Sequence, residues 1–203
     1  MILAVVDTSY WSAWPGPLTE WRANYARVDD DHLLDLPIGF LADNRYFQLA
    51  TRPLFRLWDN EPLTAQVQAH SSAEQIRLFA VYMTDGDIGN GGFWQWLLNS
   101  YSCLYPSVLE GHRMLGLAQV ADLAEDAVRQ VFPDGLPLDH TARLAALDLL
   151  MVTPDVDEVV DRLGQHDRIY HLRIGAVHSN EELLPAMCLW IDQHADRFFA
   201  GAP

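Results

Sequence analysis

The sequence predicts an all-α protein: a compact domain of seven or eight helices, preceded by an irregular, partly helical N-terminal region. Three observations carry this reading. Apolar residues recur at three- and four-residue intervals through most of the chain after residue 71. Capping residues, prolines and glycines punctuate those stripes at short intervals. Half of the 203 residues are hydrophobic and 11% are aromatic, enough for a sizeable core. The boundary falls at 70/71, with residues 1–70 as the N-terminal region and 71–203 as the helical domain.

Taken in order, Ile2 to Val6 reads as a short strand, followed by a loop rich in Trp, Pro and Gly through Pro17 and the run Asp29-Asp30-Asp31. Asn44 to Leu49 and Leu54 to Trp58 read as two short helices broken by Pro53. Ser72 with Gln75 forms a capping box, and Ile76, Phe79, Ala80 and Met83 make one buried stripe. Gly86 and Gly89 are expected to end that helix. A second begins within Asn90-Gly91-Gly92 and runs to about Tyr101, and Pro106 opens a third that reaches about Leu117.

Val120, Leu123, Ala124, Ala127, Val128 and Val131 give a further stripe, closed by Pro133-Asp134-Gly135. Asp139 to Met151 follows. Thr153 and Pro154 are expected to cap a helix carrying Val156, Val159, Val160 and Leu163 that stops at Gly164. Asp167 to Ile174 then reads as a separate helix. Ser179 with Glu182 makes a second capping box, and the last helix buries Leu183, Met187, Trp190, Ile191, His194 and Phe198. No fixed-period repeat is visible.

The formal net charge of −15 narrows the function classes. All 13 basic residues are arginine. So negative a surface repels DNA, RNA and anionic membranes and favours a basic protein partner, including one that itself binds nucleic acid. No positive leader and no spanning apolar run are present, and Cys103 and Cys188 lie far apart in apolar surroundings. Together these predict a cytoplasmic protein with buried free thiols.

The run Gly86 to Gly92 fits no phosphate cradle. No lysine follows it, and Asp85 and Asp87 make it acidic. It fits no nucleophile elbow either, since no serine or cysteine occupies its centre. A tight corner between helices remains, with Asn90 expected to accept from the N–H groups of the next helix. Phe93 and Leu97 share one face, and Gln95 and Asn99 form a polar strip that Trp94, Trp96 and Leu98 nearly enclose. That strip either satisfies backbone groups or lines a small pocket for a ligand or peptide.

Asp87-Ile88, Asn90-Gly91-Gly92-Phe93, Gln95 and Asn99 together resemble the signature of a bacterial all-α family named after a DNA-mimic protein. The resemblance extends from about Ser72 to Phe132 and more weakly to the C-terminus. Asp87 stands where glutamate is usual, Gly89 where a second asparagine is common, and two tryptophans flank Gln95. The resemblance implies the helical fold and a role in mimicking nucleic acid.

Two helices carry acids away from their apolar stripes: Asp122, Glu125 and Asp126 on one, and Asp157, Glu158 and Asp161 on the other, with Asp155 near its start. From Asp122 to Asp167 there are eleven acids against Arg129, Arg143 and Arg162. These faces are either solvated or a docking surface for a basic protein.

The histidines do not add a metal site. His166, His171 and His178 do not share one helical face, and HExxH and paired CxxC patterns are absent. His112 falls with Val108 and Leu115 on an apolar stripe, as a hydrogen-bonded core residue. No cofactor, metal ligand or catalytic residue is assigned. The leading expectation is a non-enzymatic interaction protein of DNA-mimic, immunity or antitoxin type. A small-ligand or peptide binder at the Asn90–Asn99 corner comes second, and a hydrolase last.

Overall fold

The computed structural model describes residues 16–25, 38–56, 71–174 and 180–199. Eight α-helices are found there: α1 (Leu18–Tyr25), α2 (Ile38–Arg56), α3 (Ala73–Leu98), α4 (Tyr105–Met114), α5 (Ala118–Val131), α6 (His140–Met151), α7 (Val156–Ile174) and α8 (Asn180–Gln193). Two short 3₁₀ turns, Ser100–Leu104 and Ala195–Arg197, complete the described elements, and no strand occurs among them. The all-α class therefore holds. The expected strand at Ile2–Val6, the Trp11–Pro15 part of the loop, the Asp29–Asp31 run, the residues 57–58 and Ser179 of the second capping box lie outside the described residues.

The long helix α3 is the hub. It packs against α2, α4, α6, α7 and α8, most extensively against α4 and α7. The predicted capping box starts it: Gln75 N–H donates to Ser72 Oγ at 3.1 Å, and Ser72 N–H donates to Gln75 Oε1 at 2.9 Å. Phe79, Ala80 and Met83 are buried as expected, with Ile76 half-buried beside them. The core then runs through Leu78, Phe93, Trp96, Leu97, Val108, Ala124, Leu163, Tyr170 and Met187.

Helices of the N-terminal region belong to the same packing. α2 lies against α8 and α3, and α1 against α2 and α8. Leu18 N–H and the Tyr46 hydroxyl both donate to Asp192 Oδ1, at 2.9 and 3.2 Å, and Trp21 Nε1–H donates to Ala42 O at 2.8 Å. The two short helices expected on either side of Pro53 form one helix, Ile38–Arg56. Its buried residues Ala42, Tyr46, Phe47, Ala50 and Leu54 lie on one face, so tertiary burial outweighs the hydrogen bond that proline removes.

Other boundaries also shift. α3 passes through Gly86 and Gly89 and leaves the helical path only at Gly91 (φ −161°, ψ 22°) and Gly92 (φ 75°, ψ −175°). Glycine inside a helix costs only about 1 kcal/mol against alanine, a weak stop signal where both flanks are buried. Likewise α7 continues through Gly164 to Ile174 as a single helix. Thr153 does not cap it; its hydroxyl donates back to Leu150 O at 2.8 Å and closes the α6–α7 turn. The helix expected to end near Leu117 stops at Met114, because Gly116 takes φ +77° and turns the chain into α5.

Candidate functional site

The break in α3 is fastened from three directions. Asn99, just past the helix, donates from Nδ2 to Asp87 Oδ1 at 2.7 Å, tying the segment after the break to the one before it. From α7, the Asp167 carboxylate accepts from the Phe93 N–H at 2.7 Å, the first free donor of the resumed helix. That bond replaces the expected role of Asn90, which is exposed. From α6, the fully buried Arg143 donates to Leu97 O and Asn99 O, both at 2.9 Å, and to Pro137 O at 2.9 Å and Leu138 O at 3.3 Å. A guanidinium at a helix C-terminus both satisfies orphan carbonyls and opposes the helix dipole.

Gly92 must be glycine on two counts. Its φ of +75° with ψ near 180° belongs to a region that L side chains avoid. A Cβ there would also lie 2.4 Å from Asp167 Oδ2. Gly91 has an extended φ that any residue adopts, but its Cβ would meet the Gln95 side chain, whose Cβ would lie only 2.9 Å away.

Phe93 is buried against Trp96 and Tyr170, edge to face at 5.9 and 5.7 Å. Gln95 and Asn99 are half-buried, and Leu98 is exposed, so the strip is less enclosed than the sequence suggests. Within the corner, Asp87 is the group with unusual chemistry. Burial pushes its carboxyl up to about 6 against the lowering bond from Asn99, and its Oδ2 is buried without a hydrogen-bond partner.

The acidic helices are neighbours: α5 packs against α7, and α4 against α5. Asp122, Asp155, Asp157, Glu158 and Asp161 are exposed, while Glu125 and Asp126 are half-buried. Part of this charge is answered locally. Arg113 pairs with Asp122 and Glu125 at 3.3 and 3.6 Å, Arg129 with Asp126 at 3.6 Å, and Arg162 with Glu158 at 2.5 Å. Asp155, Asp157 and Asp161 have no ion-pair partner among the described residues. Arg143 is buried, so it does not offset this surface, and the uncompensated charge gathers at the start of α7.

Two adjacent residues of α7 connect the corner to the acidic face. Asp167 binds the corner, while His166 Nε2 lies 2.8 Å from Asp126 Oδ2 on α5. His166 Nδ1 lies 2.8 Å from Arg162 O. Both neighbours are hydrogen-bond acceptors. This contact holds the Asp126 carboxyl below its ordinary value.

His166, Asp167 and Arg143 are the residues that sequence reading passed over. For Arg143 a signal existed: it shares a stripe with Leu147 and Leu150, an unusual place for an unpaired cation. Nothing local marks Asp167.

His112 is fully buried, with Nδ1 3.0 Å from Val108 O, as its apolar stripe predicts; burial lowers it to about 4. Cys188 is buried and Cys103 half-buried, both as free thiols. Among the described residues, no group of three or more His, Cys, Asp or Glu is arranged to hold a metal ion. His178 lies outside them. No helix of the described residues is long and apolar enough to cross a membrane.

Residues 70–194 match a family model described as DMP19-like protein. That span includes the corner, the acidic helices and all of α8. No curated protein and no solved structure matches the chain.

Proposed function

Because the chain belongs to the DMP19-like protein family, we propose that it is a non-enzymatic interaction protein that binds a basic, nucleic-acid-binding protein through the acidic surface of α5 and α7. The observation that carries this reading is the side-by-side packing of these helices. It sets Asp122 of α5 and Asp157 and Asp161 of α7 on neighbouring helices, all exposed, with the last two unanswered by any described cation. Carboxylates fixed on rigid helices offer a DNA-binding protein the charge it expects from phosphates. They raise the rate of encounter and set register more than they add affinity.

The same reading gives the corner a structural role. Its polar groups bond one another and the backbone, and its break lets α3 turn while Asp167 and His166 brace α7 against α3 and α5. The protein is read as cytoplasmic, in the compartment of such partners.

The test is capture on the immobilised full-length chain at low salt, about 50 mM, followed by elution with duplex DNA. A DNA-binding protein released by DNA competition is the expected result. Partners that ignore both DNA and salt would overturn the reading.

A further inference from the structure

The outward face of α6 carries a pattern that the buried core does not use. Ala142, Ala145, Leu149 and Val152 are spaced three, four and three apart, the interval of a helix-pairing seam, and Leu138 stands two residues before the helix begins. All five are exposed, with Leu149 at 70% and Val152 at 82%. The inner face of the same helix is already served by Arg143 and Leu147, both buried, as α6 packs on α3. An apolar stripe of this regularity is unusual where it meets water on a helix whose other face completes the core.

Charge decides what fits there. Asp139 and Asp148 flank the stripe and are exposed, and Asp155 follows just beyond its end. The one arginine between Leu138 and Asp155 is Arg143, which is buried. A second copy of this chain would set acid against acid along the seam. A helix with its own apolar seam and flanking arginines or lysines would meet both the stripe and the rim.

We propose that the outer face of α6 is a docking surface for one basic amphipathic helix of a partner protein, seated on Ala142, Ala145, Leu149 and Val152, with Leu138 just before the start of the helix. The proposal rests on the reading that the partner is basic. It adds an apolar anchor that salt does not screen, beside an acidic face that it does. At 12 residues, about 18 Å, α6 offers roughly three turns of contact, suited to a helix laid onto a preformed surface.

The probes are two synthetic helical peptides with leucine at the seam positions, one flanked by arginine and the other by glutamate. Binding to the full-length chain is measured by fluorescence anisotropy. The arginine-flanked peptide is expected to bind at least about tenfold more tightly than its glutamate counterpart. The variant L149S/V152S is expected to lose at least about tenfold in affinity for it, while D122N/D157N/D161N, altered only on α5 and α7, still binds it. Equal binding of both peptides, no binding of either, or unchanged binding by L149S/V152S overturns the proposal. So does a lower oligomeric mass or a clearly lower melting temperature of L149S/V152S, which would mean that a second copy or the chain itself covers the stripe. The DNA-competition capture reads the α5–α7 reading separately, so either can fail without the other.

Discussion

Replacing Gly92 with alanine probes the corner more sharply than any other single change. Two costs are built into the structure. The first is conformational: a Cβ at φ +75° and ψ −175° is strained by about 1–3 kcal/mol. The second is the Asp167 carboxylate, whose three outer atoms would lie 2.4–2.8 Å from the new Cβ. It must move away and give up the Phe93 N–H, a bond to a charged acceptor worth about 1.5–3 kcal/mol. Together they predict a loss of about 2.5–6 kcal/mol, a large share of the stability of a typical domain. Urea unfolding of G92A, D167A and the double variant separates the two. Asp167→Ala alone costs only the bond, about 1.5–3 kcal/mol. The double variant falls short of the sum of the singles, because the clash and the bond are then the same loss. Strict additivity of the two singles would refute the reasoning, as would a G92A midpoint equal to that of the parent.

Two further predictions concern buried polar groups. Arg143→Met keeps the bulk on α6 but strands the carbonyls of Leu97, Asn99 and Pro137, and is expected to cost about 3–5 kcal/mol; unchanged urea unfolding would contradict the assigned cap. Asp87, raised to about 6 by burial against an ordinary 3.8, holds its proton in the folded state where the unfolded chain has released it. Its contribution is therefore fully present below about pH 4 and lost as pH rises through 6, by about 3 kcal/mol in all. Asp87→Asn keeps an acceptor for Asn99 but cannot ionise, so its stability relative to the parent should rise between pH 4.5 and 7.5. Parallel pH profiles for the two proteins would contradict this.

Much of the helical domain was legible because its signals are local. The capping box of Ser72 and Gln75, the stripe of α5 and the start of α6 beside Asp139 all depend on neighbours within a turn. What failed was reading glycine and proline as stops. Gly86, Gly89 and Gly164 lie inside helices because burial on both sides outweighs their propensity, and α2 continues past Pro53 for the same reason. Of the four glycines from Gly86 to Gly92, sequence cannot choose the one with positive φ, since that choice depends on Asp167, 75 residues away from Gly92. Acidic residues were found easily, but their answering charges were not. Arg113 of α4 reaches Asp122 and Glu125 only once α4 has packed on α5, and Arg143 counts as surface charge until the fold buries it.

The central claim is that exposed carboxylates on α5 and α7 hold a DNA-binding partner. Its most direct measurement is the affinity of the full-length chain for the partner captured at low salt and released by DNA, followed across salt concentration for the parent and for D122N/D157N/D161N. The account predicts a steep fall of affinity with salt for the parent and a markedly shallower, weaker dependence for the variant, with melting temperatures alike because all three carboxylates are exposed. An unchanged salt slope and affinity in the variant would contradict it.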